Sequence, residues 1–302
     1  MHVFVTGASG YIGRHLCIRL IGDGHAVSGL ARSDPSARRL AELGVAAHPG
    51  AIEDVASVVA GAAAADAVVH IPPSHDFTGG DEADQLATRA MLDCLAGSGR
   101  HFVYTSGARV YGDTHGIVVD EDTQVAPPPS LIVRAQVEQE VLAAANRDVA
   151  ATVIRPTLTY GAGASGAMNF LIDELKITGR ARYIGDGNNA WSFVHVDDLA
   201  DLYAAVLRTH AATGRVLNAS AGKPVPLRDL AAALAATAEP PASAVSVDLN
   251  EALAEWGEMA VFLSSDMRVS GERAREMCGW QPHRVGVIDD VRSGSYVAAL
   301  RR

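Results

Sequence analysis

Lysine and cysteine are both scarce in this chain of 302 residues. The only lysines are Lys176 and Lys223, so arginine carries nearly all of the positive charge. The three cysteines, Cys17, Cys94 and Cys278, are odd in number, far apart and outside any C-x-x-C pair. This spacing gives no support to a disulfide framework or to a thiolate metal site. We therefore expect a reducing, cytoplasmic environment and a site that holds no metal.

Long hydrophobic runs and excess positive charge are absent as well. No stretch reaches the roughly eighteen apolar residues of a membrane span, and the N-terminal residues do not resemble a secretion signal. The formal net charge of −10 disfavours nucleic acid and anionic membranes as partners. Hydrophobic residues make up 48% of the chain, which is enough for a substantial core. The sequence leaves the oligomeric state open.

Short apolar runs alternate with segments of helical periodicity through the first half of the chain. This alternation predicts an α/β fold with a doubly wound parallel sheet of the Rossmann type, because right-handed crossovers place helices on both faces of such a sheet. The predicted strands lie at residues 3–5, 26–31, 45–47, 67–71, 102–105 and 151–155, and the predicted helices at 14–22, 36–43, 55–62, 83–95 and 132–145.

The alternation of apolar runs and segments of helical periodicity becomes irregular after Pro156. We predict helices at 169–178 and 227–238, a strand at 192–196, a further helix from Asp197 or Asp198, and an irregular C-terminal third. The predicted division is a dinucleotide-binding domain at 1–163, whose sheet is completed by about 190–220, and a smaller interleaved C-terminal substrate lobe at 164–302.

A glycine-rich turn follows the first strand and opens the first helix. Gly7, Gly10 and Gly13 form G-x-x-G-x-x-G, in which bare backbone N–H groups and the helix dipole can hold a pyrophosphate. The other residues predicted to bind the cofactor in this turn are Ser9, Tyr11 and Ile12. The pattern predicts a dinucleotide cofactor.

The end of the second strand predicts which dinucleotide is bound. NAD enzymes usually carry an acidic residue there for the ribose diol, whereas this chain has Arg32 and Ser33. A guanidinium and a hydroxyl suit a 2′-phosphate, so NADP(H) is the expected cofactor.

Several motifs together resemble the extended short-chain dehydrogenase/reductase family, which includes sugar-nucleotide epimerases and dehydratases. They are the segments 6–13 (TGASGYIG), 66–70 (DAVVH), 102–112 (FVYTSGARVYG), 154–156 (IRP), 160–161 (YG) and 193–199 (FVHVDDL). The resemblance implies that Ile52, Ile71 and Pro72 flank the adenine and the cofactor ribose. It also implies that Pro156 and Thr157 lie near the nicotinamide.

The catalytic residues of that family are missing. Its members use a serine or threonine, a tyrosine as general acid and a lysine four residues after the tyrosine. The residues four positions before the two lysines are Ile172 and Ala219, so no Tyr-x-x-x-Lys exists in this chain.

Alignment on the family pattern assigns other residues to the three positions. It places Gly107 at the serine, Ile132 at the tyrosine and Gln136 at the lysine, and Gln136 is then expected to bind the nicotinamide ribose. A second register, with Ser130 and Arg134, fits the flanking arginine and glutamate less well.

Four residues are predicted to contact the substrate: Ser106, Ile132, Tyr160 and Trp191. Ser106 carries a hydroxyl and directly precedes Gly107, which occupies the position of the family's catalytic serine. Trp191 stands where sugar-nucleotide relatives carry a diphosphate-binding arginine, and it suits a flat apolar ring, although packing in the lobe core explains Trp191 and Tyr160 equally well. His75 is a possible proton relay, and His195 with Asp197 and Asp198 is expected to end a strand and cap a helix.

These observations favour an NADPH-dependent ketoreductase of an aromatic, angucyclinone-like polyketide ketone, with the proton supplied by a phenol of the substrate. Well-oriented groups within one molecule reach effective molarities of about 10⁵ M or more, which could replace a protein acid. The alternative is a catalytically silent NADP(H)-binding regulator. A sugar-nucleotide epimerase or dehydratase is disfavoured, because both the catalytic pair and the diphosphate arginine are missing.

Overall fold

The computed structural model describes residues 1–72 and 81–301. His75, the predicted proton relay, lies outside the described residues. The strands are β1 (His2–Thr6), β2 (Ala26–Ala31), β3 (Ala46–Pro49), β4 (Ala67–His70), β5 (His101–Thr105), β6 (Ala150–Pro156), β7 (Leu158–Tyr160), β8 (Arg180–Ile184), β9 (Ala190–His195), β10 (Arg215–Ala219), β11 (Ala221–Pro226) and β12 (Ser243–Val247).

Helices alternate with these strands and dominate the end of the chain. They are α1 (Tyr11–Gly22), α2 (Asp34–Glu42), α3 (Val55–Ala63), α4 (Asp81–Leu95), α5 (Ile132–Ala143), α6 (Gly166–Thr178), α7 (Val196–Val206), α8 (Leu227–Thr237), α9 (Leu249–Trp256), α10 (Glu258–Ser264), α11 (Glu272–Cys278), α12 (Val287–Ser293) and α13 (Val297–Leu300). Short 3-10 helices lie at Ala108–Tyr111, Pro129–Leu131 and Ala144–Arg147. Within the described ranges, no helix is long and apolar enough to cross a membrane.

The central sheet has seven strands in the order β10-β6-β5-β4-β1-β2-β3, and each neighbouring pair is parallel. The predicted doubly wound parallel fold is confirmed. The chain builds the sheet outward from β1 to β3 on one side and from β4 to β10 on the other side. The connections that follow β1 and β4 therefore run in opposite directions, which leaves a crevice at the carboxyl ends of these two strands.

Both faces of this sheet are covered by helices, so its central strands are buried on both sides. Val3 and Val5 pack on the face that carries α1, α2 and α7, whereas Phe4 packs on the opposite face with α3, α4 and α5. This alternation follows from the two-residue period of a strand.

The later elements form a separate apolar cluster. It includes the three-stranded sheet β11-β9-β7, the pair β12-β8 and helices α6, α8 and α10, with Trp191 and Tyr296 fully buried inside. The predicted strand near 192–196 is β9 of this small sheet, whereas β10 forms the edge of the central sheet. The domain boundary at 163/164 stays a prediction.

The irregular C-terminal third is a wrong prediction. After Pro240 the chain forms β12 and the five helices α9 to α13, the longest of which has eight residues. Helices of four to eight residues cover too few turns to produce a recognisable period of apolar residues.

Candidate functional site

A cleft of about 860 Å³ opens at the carboxyl ends of the central strands. Thr6, His70, Thr105 and Pro156, the last residues of β1, β4, β5 and β6, all line it. Crevices at this edge of a doubly wound sheet are the usual ligand sites of such folds. The cleft is therefore the candidate site.

The glycine turn forms one wall of the cleft. Gly7 has a φ of +68°, and a Cβ there would lie 2.4 Å from the carbonyl oxygen of Ile71. A Cβ on Gly13 would lie 2.1 Å from the carbonyl oxygen of Gly7, so α1 packs directly on the turn. Gly10 caps α1 without a side-chain hydrogen bond, and no acidic residue lies in the first turn. These features fit a phosphate group bound at the helix N-terminus.

The far end of the cleft is basic. Arg32 and Arg39 line it together with Ser33 and Ser36, whereas Asp34, the first acidic residue after β2, begins α2 and does not line the cleft. Ser33 is also the N-cap of α2, because its hydroxyl accepts a hydrogen bond from the backbone N–H of Ser36. Two guanidinium groups at this end of the cleft suit a phosphate better than a ribose diol.

All but one of the residues predicted to bind the cofactor line the cleft. Their roles in binding it stay predictions. Those that line the cleft are Gly7, Ser9, Gly10, Tyr11, Ile12, Gly13, Arg32, Ser33, Ile52, Ile71, Pro72, Pro156 and Thr157.

The placement of Gln136 and Ile132 in the cleft is wrong. The inward face of α5 consists of Arg134, Val137, Glu138 and Val141, at the i, i+3, i+4, i+7 spacing of one helix face. Gln136 is exposed on another face, and Ile132 is 46% exposed outside the cleft.

The residues that line the cleft from this segment are Leu131 and Arg134. Arg134 is buried, and its Nη1 donates a hydrogen bond of 3.4 Å to the carbonyl oxygen of Thr105. The second register of the sequence analysis, with Ser130 and Arg134, is therefore the one that brings a cation to the site.

A buried polar network lies beneath this part of the cleft. The hydroxyl of Thr6 contacts His70 Nδ1, while His70 Nε2 lies 2.7 Å from an oxygen of Asp84. Tyr104 donates its hydroxyl proton to the other oxygen of Asp84, at 2.7 Å. Burial raises the pKa of Asp84, but the hydrogen bonds from His70 and Tyr104 and the charge of Arg134 outweigh burial, so that its pKa is lowered. The carboxyl group stays ionised inside the protein.

Tyr104 is a poor proton donor to a ligand. Its side chain is fully buried, and burial together with the charge of Asp84 holds its pKa well above the usual range. Ser106 differs: it lines the cleft, and its buried hydroxyl has no hydrogen-bond partner among the described residues. A buried hydroxyl without a partner is costly, and the Ser106 hydroxyl suits a hydrogen bond with a ligand carbonyl or hydroxyl.

Two predicted substrate residues lie in the core instead. Trp191 is fully buried and donates from Nε1 to the carbonyl oxygen of Ser265 at 3.0 Å. Tyr160 is 4% exposed and donates its hydroxyl proton to the carbonyl oxygen of Val285. Neither lines the cleft. Both sit in the small sheet, where their rings pack against Phe193.

The substrate end of the cleft is built from other residues. Arg109 lies in the short 3-10 helix Ala108–Tyr111, which follows Gly107 and β5. Its guanidinium lies 4.3 Å from the ring centroid of Phe262. The opposite wall comes from the start of α6 and the loop before it. The lining residues at this end include Ser106, Gly107, Arg109, Leu158, Ser165, Ala167, Asn169, Phe262 and Met267.

The loop before α6 is anchored from two sides. The Tyr11 hydroxyl donates to the carbonyl oxygen of Gly161 at 2.8 Å. The N–H of Gly161 donates to the Tyr296 hydroxyl at 3.0 Å, and that hydroxyl donates to the carbonyl oxygen of Ala164 at 2.9 Å. The loop over the substrate end is thus tied both to the glycine turn and to the C-terminal segment.

Comparison with known proteins agrees with the geometry of the cleft. A model of the NAD dependent epimerase/dehydratase family matches residues 3–220. The chain is 35% identical to the uncharacterized protein YLL056C of Saccharomyces cerevisiae, with 97% of this chain and 98% of that protein covered.

Two of the relatives are named as reductases of oxo compounds. The 2-alkyl-3-oxoalkanoate reductase of Stenotrophomonas maltophilia is 30% identical, over 76% of this chain and 73% of that protein. The 4-hydroxy-2-methyl-3-oxo-4-farnesyl-3,4-dihydroquinoline-1-oxide ketoreductase of Stigmatella aurantiaca is also 30% identical, over 76% of this chain and 70% of that protein.

Proposed function

The chain belongs to the NAD dependent epimerase/dehydratase family, and on that basis we propose that it is an NADPH-dependent reductase that converts a ketone on an aromatic small molecule into an alcohol. The observation that carries the proposal is a cleft that keeps the dinucleotide cradle while the chain lacks any Tyr-x-x-x-Lys. Epimerases and dehydratases of the sugar-nucleotide type rely on that pair, which disfavours such a reaction here.

The cofactor is held by three groups of residues in this proposal. The N-terminus of α1 and the glycine turn bind the pyrophosphate, and Arg32 and Arg39 bind the 2′-phosphate of NADP(H). Arg134 takes over from the absent lysine as the cation near the nicotinamide ribose, in place of Gln136.

A bound NADPH supplies the hydride, and the ketone oxygen then needs one proton to become an alcohol. Ser106 orients that oxygen by donating a hydrogen bond, because its hydroxyl lies in the cleft without another partner among the described residues. A hydroxyl of serine is too weak an acid to be an efficient proton donor near neutral pH, so we propose that a phenol of the substrate delivers the proton.

These two reductase relatives support the proposed substrate class in part. One is named for a 3-oxoalkanoate and the other for a 3-oxo-dihydroquinoline, and both names contain a ketone. The first name also describes a carboxylate, and the second a ketone in a ring that is fused to an aromatic ring. We further propose that the protein is similar to the angucyclinone ketoreductase of the simocyclinone pathway, which would make its substrate an aromatic polyketide.

The test is NADPH consumption with a hydroxyaryl ketone and its methyl ether, in the unmodified protein and in Ser106→Ala. The phenol should be reduced, the methyl ether should react about 10²-fold more slowly, and Ser106→Ala should lower the rate with both. Equal rates for the phenol and the ether would refute the substrate-derived proton. Binding of NADPH without turnover of any ketone tested would favour the regulator instead.

A further inference from the structure

The charge of the cleft is opposite to that of the whole protein. The chain carries a formal net charge of −10, yet the charged residues that line the cleft among the described residues are Arg32, Arg39, Arg109, Arg134 and one acid, Glu53. Arg32 and Arg39 follow β2, whereas Arg109 follows β5. Those strands are three positions apart in the sheet, which is about 14 Å at ordinary strand spacing. A 2′-phosphate bound by Arg32 and Arg39, as proposed above, would therefore lie too far from Arg109 to pair with it.

The position of Arg109 is fixed by a stack of planar groups. Its guanidinium lies over the Phe262 ring at 4.3 Å, and Phe262 stacks on Trp191 with ring centroids 4.6 Å apart and planes at 23°. Trp191 is held in turn by its hydrogen bond to Ser265. Stacking uses the face of the guanidinium, whereas its N–H donors lie in its plane, so the stack is compatible with a bidentate bond to a carboxylate.

The surroundings of Arg109 make an anion favourable there. Phe262, Met267, Leu158 and Ala167 give this end of the cleft an apolar wall. Burial lowers the pKa of Arg109, and the charge of the exposed Glu258 on α10 opposes that effect. A cation in such a wall interacts more strongly with a ligand anion than it would in water.

We propose that Arg109 determines substrate specificity by binding a carboxylate of the substrate, while the planar apolar remainder of the substrate packs against Met267 and Leu158. The proposal rests on the proposed function for the location of the reactive ketone, at the Ser106 side of the same cleft. The substrate class is then an aromatic keto acid rather than a neutral ketone.

The test compares stable probes that differ only in charge. Cinnamate and 2-naphthoate, and their primary amides, are titrated into the protein by calorimetry with and without saturating NADP⁺. The unmodified protein should bind each carboxylate about tenfold or more tightly than its amide, since a charge-assisted pair is replaced by a neutral one. Arg109→Gln should reduce this preference to within about twofold, and Arg109→Lys should keep part of it.

Arg38→Gln is the matched control, because Arg38 is an exposed arginine outside the cleft and its loss changes the net charge equally. It should keep the full preference for carboxylates. Equal affinity for acid and amide in the unmodified protein overturns the proposal, as does a preference that survives in both Arg109 variants. NADPH consumption with the hydroxyaryl ketone is measured separately. A carboxylate preference that depends on Arg109, without reduction of the ketone, supports the role of Arg109 and refutes the reductase. Reduction of the ketone without a carboxylate preference refutes the role of Arg109 and supports the reductase.

Discussion

Adjacent arginines on α2 differ in what their side chains reach. Arg39 lines the cleft next to Arg32, whereas Arg38 is exposed outside it. We predict that Arg39→Gln lowers the affinity for NADPH about tenfold while the affinity for NADH changes little, since only NADPH carries the 2′-phosphate. Arg32→Ala should act in the same direction.

Fluorescence titration of both cofactors gives the affinity ratio, and Arg38→Gln is the control that should leave this ratio unchanged. Equal binding of NADPH and NADH by the unmodified protein would contradict the assigned cofactor.

Arg134 and Gln136 lie two residues apart on α5 and face in different directions. Arg134 is buried against Thr105 in the cleft, and Gln136 is exposed. We predict that Arg134→Ala weakens cofactor binding about tenfold, because a charged hydrogen-bond donor is lost. Gln136→Ala should change it by less than about twofold. Calorimetric titration measures both, and a larger effect at Gln136 would restore the first alignment register.

At the scale of elements, the Asp84 carboxylate joins α4 to the central sheet. It accepts hydrogen bonds from His70 at the end of β4 and from Tyr104 in β5. Asp84→Asn replaces a buried acceptor by a group with an amide donor, and we predict a loss of about 3 kcal/mol in the free energy of unfolding.

Asp93→Asn is the control on the same helix. Asp93 pairs with Arg147 but its side chain is 69% exposed, so its loss should cost less than about 1 kcal/mol. Urea denaturation at pH 7 measures both variants. A loss at Asp84 no greater than that at Asp93 would mean that the network contributes little to stability.

The sequence predicted six of the seven strands of the central sheet, because short apolar runs alternate there with helical segments, but it did not locate β10 beyond placing the completion of the sheet at about 190–220. The predicted strand 26–31 coincides with β2, and the predicted helix 55–62 differs from α3 by one residue. The helices α9 to α13 were missed because they are short. Their positions depend on contacts with distant segments, such as the stacking of Phe262 in α10 on Trp191 in β9.

The candidate site also contains residues that could be predicted from the sequence and residues that could not. The glycine turn was predicted from sequence, since its backbone geometry demands glycine at fixed spacing. Arg39 was missed although its spacing of three residues from Ser36 places both on one face of α2. Phe262 could not be predicted, because only the tertiary packing of the C-terminal lobe brings it to the end of β5.

At the scale of the whole molecule, a histidine pair makes stability depend on pH. His101 is buried at the start of β5, and its ring stacks on His210 with centroids 4.5 Å apart. Burial, with a smaller contribution from the charge of His210, lowers the pKa of His101 to about 4. The unfolded chain binds a proton at this residue near pH 6.5, so folding excludes the proton between about pH 6.5 and 4.

The stabilising contribution is therefore complete above about pH 6.5 and is lost as the pH falls towards 4. We predict that His101 accounts for up to about 3 kcal/mol of the decrease in this window. His101→Gln should flatten the decrease, whereas the control His115→Gln should not, since the His115 side chain is 81% exposed. Denaturation at several pH values measures the slopes, and identical slopes for the His101 variant and the unmodified protein would contradict the prediction.

The anchoring of the loop before α6 has a kinetic consequence. Tyr11 comes from the beginning of the chain and Tyr296 from its end, and both bond to Gly161. We expect a ligand to leave the substrate end more slowly while these contacts between opposite ends of the chain hold, so that its residence time depends on tertiary structure as well as on local loop composition. We predict that Tyr296→Phe, which keeps the ring and removes both hydrogen bonds of the hydroxyl, raises ligand dissociation rates in stopped-flow measurements several-fold, roughly the effect of 1 kcal/mol. Unchanged dissociation rates would show that the loop does not limit release. The two ends of the sequence together then set how long a ligand remains bound.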